Sequence, residues 1–260
     1  MNLIAGFECG YLHWNNVDLL EVNRHTPQTD MREHYINAID KGATSMRDGL
    51  PPGHDPSQRL GCAQQFPVIW DLLHYHPCAD VKAHATSVRE ALDLSLRFGD
   101  AVLPVNEPSV HVLWNRPVNE VIDDAIVMIG EMGDWPIMTC DPFHDLDEAS
   151  FYATDRLVET GRVSAVGVNY YAHHGNESLR DVMNAVRTRY NLPVLLSETG
   201  WHEGHPGNVR FPHIHSRREW WDHVLAEVGE VGGVCWYPWL DPRSWDDPFN
   251  GEMWHSGWPE

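Results

Sequence analysis

Ala101-Val102-Leu103-Pro104-Val105-Asn106-Glu107-Pro108 is an apolar run closed by two polar residues and a proline. It is continuous rather than alternating, the pattern of a parallel strand covered on both faces. Leu192-Pro193-Val194-Leu195-Leu196-Ser197-Glu198-Thr199-Gly200 repeats the form. Comparable runs at about 3–9, 43–49, 66–73, 135–142, 163–171 and 232–239 bring the total to eight. Amphipathic segments lie between them at about 28–41, 82–98, 118–132, 146–160, 177–190 and 216–229. In the second of these, Val88, Leu92 and Leu96 recur at helical spacing among charged neighbours. The Pro- and Gly-rich stretch 50–65 has room for a short helix only, and the Trp-rich tail carries no convincing eighth helix.

Eight β/α units without a linker or a low-complexity stretch predict an α/β fold. The expectation is a single (β/α)8 TIM barrel with few insertions and a weak or absent last helix, residues 1–260 forming one catalytic domain. An open doubly wound sheet would need a Gly-rich phosphate turn after its first strand, and Gly6-Phe7-Glu8-Cys9-Gly10 does not supply one.

Composition narrows the partners. A formal net charge of -20 argues against nucleic acid and anionic membrane, which are bound through clustered Lys and Arg. The start has no basic segment and its apolar stretch is broken by Glu8, so it does not read as a signal peptide; no apolar run is long enough for a membrane span. Five widely spaced cysteines form neither a disulfide framework nor a zinc-type pair, and Cys9, Cys140 and Cys235 near strand ends read as small buried thiols. A cytoplasmic setting is expected. Twelve tryptophans offer flat apolar faces of the kind that cover sugar rings, although burial in a core is the commoner use.

In a barrel, chemistry is built where strands enter their following loops. Those ends read Glu8; Arg47; Asp71 with His74 and His76; Asn106 and Glu107; Asp141 with His144; Asn169 with Tyr170 and Tyr171; Glu198; and Trp236 with Trp239. Polar and aromatic groups therefore collect at one end of all eight strands. Two carboxylates there, Glu107 and Glu198, each close an apolar strand, and a poorly hydrated carboxylate has a shifted pKa. Facing one cavity, they would be the pair needed to break a glycosidic bond.

These ends resemble those of the large clan of glycoside hydrolases that retain configuration on a (β/α)8 barrel, with glutamates on strands four and seven. Arg97-Phe98-Gly99-Asp100 before Val105-Asn106-Glu107-Pro108, Gly167-Val168-Asn169-Tyr170-Tyr171, and the run begun by Trp236 look most like the β-glucosidase family, in a shortened form. The resemblance implies Glu107 as general acid/base and Glu198 as nucleophile. It implies Asn106 on the hydroxyl next to the reacting carbon, Arg47 beside Glu198 to keep it charged, and Tyr171 hydrogen-bonded to Glu198. His74 would contact a ring hydroxyl, Trp236 would form the floor under the sugar, and Asn169 and Trp239 complete the substrate-binding set. It also implies a cis peptide at Trp236–Tyr237. Retaining chemistry asks for carboxyls about 5–5.5 Å apart, one protonated and one ionised. The chain departs from the family in its length, in Ser-Glu-Thr-Gly for the usual Thr-Glu-Asn-Gly, and in Leu73-His74-Tyr75-His76 where the family has His-Trp.

The histidines open another reading. Asp141 with His144, and His202-Glu203-Gly204-His205 after the seventh strand, are His and carboxylate groups of the kind that hold a divalent metal, although solvated loop histidines are commoner. The hydrolase reading requires no cofactor and takes a small-molecule glycoside. With Mg²⁺ or Mn²⁺ the same barrel would suit a sugar nucleotide and an isomerase such as a flavin-free pyranose/furanose mutase. A carbohydrate-binding barrel without activity is the weaker alternative, because both glutamates are present.

Overall fold

The computed structural model describes residues 5–8, 45–53, 55–63, 67–73, 78–95, 99–110, 115–143, 145–171, 177–200, 210–215, 219–220, 222–224, 226–227 and 234–238. Eight strands run in chain order: β1 Ala5–Glu8, β2 Ser45–Gly49, β3 Val68–Leu73, β4 Ala101–Val105, β5 Ile137–Asp141, β6 Val163–Tyr171, β7 Val194–Gly200 and β8 Val234–Pro238. Every neighbouring pair is parallel, and β1 pairs with β8 through Gly6↔Trp236 and Phe7↔Tyr237, which closes the barrel. The eight-stranded α/β barrel expected from the apolar runs is the fold.

Helices follow the strands: α1 Pro56–Ala63, α2 Val81–Leu94, α3 Val118–Glu131, α4 Glu148–Val158 and α5 Leu179–Tyr190. Helical turns at 219–220, 222–224 and 226–227 lie between β7 and β8. The expected helix at 28–41 and the tail after β8 lie outside the described residues. Helix starts are chemically marked. Asp80 accepts from the Ala83 amide at 2.9 Å and Asp147 from the Ser150 amide at 2.8 Å, each supplying one of the first-turn N–H groups with its acceptor. In α2 the buried positions are Ala85, Val88 and Leu92, a single stripe one and two turns apart that faces the sheet.

Two apolar layers result. Ile69, Leu103, Met138 and Cys140 fill the barrel interior together with Ala101, Ala165 and Leu195. Outside it, Trp70, Leu72, Val102, Val166, Val168 and Leu196 pack against the helices. Alternation along each strand sends neighbouring residues to these two layers. No helix among the described residues is long and apolar enough to cross a membrane.

Asp100 ties the bottom of β4 to β3. It is nearly fully buried, accepts the Val68 amide at 3.0 Å, and accepts the Trp70 indole N–H at 2.7 Å. Asp100→Ala removes the acceptor of both donors and should cost about 2–4 kcal/mol. Urea unfolding with an unchanged m-value measures it, and Asp100→Asn, which keeps one acceptor, should lose less.

Candidate active site

The strand ends converge on one buried cation. The Arg47 guanidinium, from β2, is wholly buried and ion-pairs through Nη1 with Glu198 Oε1. Its Nη2 donates to Asp71 Oδ2 at 2.9 Å and to Asn106 Oδ1 at 2.7 Å. A planar fork can serve three acceptors on different strands, which a lysine ammonium could not do in one plane. Asp71 is a carboxylate in the middle of the apolar strand Val-Ile-Trp-Asp-Leu-Leu, where only a charged partner makes burial tolerable. Its burial with Arg47 explains its presence. The strand-end pattern includes Asp71 without giving it a place in the site, although a lone carboxylate in an apolar strand signals a buried cationic partner.

From Arg47 the hydrogen bonds continue toward Glu107. Asn106 Oδ1 also accepts from Cys140 Sγ at 3.1 Å and from Asn169 Nδ2 at 3.3 Å, so three donors orient that amide. Asn169 Nδ2 donates to Glu107 Oε1 at 2.8 Å. Burial pushes the Cys140 thiol well above its ordinary range, so it remains a neutral donor. Glu198 Oε2 accepts the Tyr171 hydroxyl at 2.8 Å. The two glutamates are thus the ends of one chain, Glu198–Arg47–Asn106–Asn169–Glu107, and at most 5% of either residue is exposed.

Irregular backbone aims these groups. Val168 pairs with Leu196 but Asn169 pairs with Glu198, so Ser197 is an extra residue in β7. A bulge of this kind breaks the alternation. Ser197 donates to Asn169 Oδ1 at 2.5 Å while its neighbour Glu198 also faces the barrel interior. On β4, Glu107 adopts φ of +44°, a left-handed conformation that a side chain with Cβ takes only when its surroundings impose it. Pro108 then begins a turn closed by the Val110 amide on the Glu107 carbonyl at 3.0 Å.

Asp141 at the end of β5 holds that turn. Its Oδ1 accepts the Ser109 amide at 3.1 Å and hydroxyl at 2.6 Å, and its Oδ2 accepts the Thr154 hydroxyl at 3.1 Å from α4. Of the residues considered for a metal, Asp141 is the described one, and both its oxygens are occupied in this way; His144, His202, Glu203 and His205 lie outside the described residues. No group of three or more His, Cys, Asp or Glu side chains among the described residues is arranged to hold a metal ion. His74 and Trp239 also lie outside them. Trp236 is placed by its backbone on β8, beside Gly6. The cis peptide expected at Trp236–Tyr237 is not found, since the described residues have none and the trans backbone continues the register with β1. Tyr170 turns outward, stacking on Trp220 at 6.0 Å between ring centroids.

No protein-family model matches the sequence, and no curated protein matches it. Solved structures do resemble the fold. The GH53 catalytic domain from Ignisphaera aggregans has a TM-score of 0.59 at 16% identity, covering 90% of this chain and 84% of that one. The catalytic domain of a mannanase from Streptomyces sp. SirexAA-E has a TM-score of 0.58 at 17% identity, covering 91% and 74%. Thermotoga maritima Cel5A, a mutant form in complex with cellobiose, has a TM-score of 0.57 at 13% identity, covering 97% and 94%. At these identities the likeness is one of fold. It agrees with the barrel and with the breadth of the clan resemblance, and does not single out the β-glucosidase family.

Burial raises the Asp141 carboxyl to about 7, against the lowering effect of its hydrogen bonds with Ser109. A carboxyl raised in the folded state stabilises the fold fully below its unfolded value near 3.8, and that contribution is lost as pH rises through about 7. Across this window Asp141 should therefore lower stability by up to about 1.4 kcal/mol per pH unit. Asp141→Asn should flatten the fall in Tm between pH 4 and pH 7; a parallel pH dependence in both proteins would contradict it.

Proposed function

We propose that residues 1–260 form one catalytic domain, a glycoside hydrolase that retains anomeric configuration, with Glu198 as nucleophile and Glu107 as acid/base. The observation that carries this reading is the joining of the two buried glutamates through Arg47, Asn106 and Asn169 at the carboxyl ends of β2, β4, β6 and β7. Their surroundings differ in the sense the reaction needs. Glu198 has a guanidinium on one oxygen and a phenol on the other, partners suited to a carboxylate that attacks in its ionised form. Glu107 meets the neutral Asn169 amide and stands on a strained backbone beside the turn held by Asp141. The fold likeness to a GH53 domain, a mannanase and a cellobiose-bound Cel5A supports a glycoside as substrate.

In the first step Glu198 attacks the anomeric carbon, the glycosidic C–O bond breaks, and the Glu107 proton goes to the leaving oxygen. In the second, water attacks the same carbon, gives its proton to Glu107, and the bond to Glu198 breaks. Arg47 keeps the nucleophile aimed through both steps, and Tyr171 holds its second oxygen. Asn106, its oxygen held by three donors, would contact the sugar hydroxyl beside the reacting carbon. In this reading Trp236 would form the floor under the sugar, His74 would contact a ring hydroxyl, and Trp239 would belong to the substrate-binding set.

A panel of 2,4-dinitrophenyl glycosides of glucose, mannose, galactose and cellobiose, in both anomeric forms, tests the reading. Glu198→Gln should lose on the order of 10³-fold or more in kcat with the fold intact. Glu107→Ala should regain turnover with azide, and the first product seen by NMR should keep the anomeric configuration of the substrate. A 2-deoxy-2-fluoro glycoside should label Glu198. Full activity in Glu198→Gln, or an inverted product, overturns the assignment.

A further inference from the structure

We propose that Ser197 is a positioning residue for Glu107, acting through the Asn169 amide; this rests on the reading of Glu107 as acid/base. Alternation from Leu195, which faces the barrel interior, places Ser197 inside and would send Glu198 toward the helices. The bulge in β7 removes that restriction and puts both inside. The serine is almost fully buried, and its hydroxyl donates to Asn169 Oδ1 at 2.5 Å. The opposite end of the same amide donates to Glu107 Oε1 and to Asn106 Oδ1. Each end of the amide is therefore specified: a hydroxyl donor on its oxygen, two acceptors on its nitrogen. A rotated amide would set its oxygen against the Glu107 carboxyl and the Asn106 oxygen.

Space for the hydroxyl is made by a missing side chain. A Cβ on Gly167 of β6, two residues before Asn169, would lie 2.5 Å from Ser197 Oγ and 2.8 Å from both the Ser197 and Cys140 Cβ atoms. Close approach, rather than an unusual backbone angle, is what requires glycine there. Gly167, the bulge and Ser197 together form a seat that holds the oxygen end of the Asn169 amide, while its nitrogen end serves the Glu107 carboxyl. The residue next to the proposed nucleophile thus orients the proposed acid/base on another strand.

The test uses phenyl glycosides of the sugars in the panel, whose poorer leaving group needs the Glu107 proton, and five variants. Ser197→Ala should lower kcat about tenfold with KM little changed, the effect of one lost buried hydrogen bond. It should also move the alkaline limb of the pH–rate profile to higher pH, because the donor that favours an ionised carboxyl becomes loose. Ser197→Thr retains the hydroxyl and should keep the limb in place. In an Asn169→Ala background Ser197→Ala should change kcat less than twofold, since the relay is already cut. Additive losses, or an unmoved alkaline limb in Ser197→Ala, overturn the proposal. Activity surviving in Glu107→Ala without azide instead overturns the acid/base assignment on which it rests. If no glycoside in the panel turns over, side-chain amide NMR decides between the outcomes. The Asn169 NH₂ protons should be protected from exchange in the native protein and lose that protection in Ser197→Ala; unchanged protection rejects the relay.

Discussion

One buried guanidinium organises this barrel's working end. Arg47 is fully enclosed, and its charge is tolerable only because Asp71 and Glu198 surround it and Asn106 takes a further N–H. In return it fixes three strand ends relative to one another. Removing the cation would leave two buried carboxylates without their counter-charge, so the members of the assembly depend on one another. That interdependence allows a barrel built mainly from apolar contacts to hold so many polar groups at one end.

The polar groups are aimed by departures from regular strand geometry. A bulge gives β7 two consecutive inward residues, Ser197 and Glu198, and a left-handed backbone turns Glu107 out of β4. Both irregularities are held from outside the site. Asp141 grips Ser109, and Trp220 donates to the Thr199 hydroxyl at 2.9 Å behind β7. Strain of this kind persists only where the surroundings over-determine it. The hydrogen bonds that impose it come from neighbouring strands and helices.

Much of the fold was legible because parallel-barrel strands are covered on both faces and so appear as unbroken apolar runs. All eight runs correspond to strands, and the helices at 118–131 and 179–190 lie within two residues of their expected spans. Strands along the whole barrel carry, toward their carboxyl ends, side chains that no apolar run needs, which makes Arg47, Asn106, Glu107, Asn169, Tyr171 and Glu198 conspicuous in the sequence. Asp71 and Asp141 were visible as strand-end carboxylates, but their different work was not. One neutralises a buried arginine; the other ties down a turn.

Residue type and period belong to the chain itself: they set the strand count, the parallel order, the helix faces, and the collection of polar side chains at one end. Which of those side chains touch depended on register. Strand alternation places Ser197 and Glu198 on opposite faces, and only pairing with β6, one residue out of step, brings both inside. The route from Glu198 to Glu107 likewise crosses four strands whose spacing in sequence says nothing about hydrogen-bond distance. Contacts between residues distant in the chain exist only once the barrel has closed, because closure sets the strand offsets and local sequence does not.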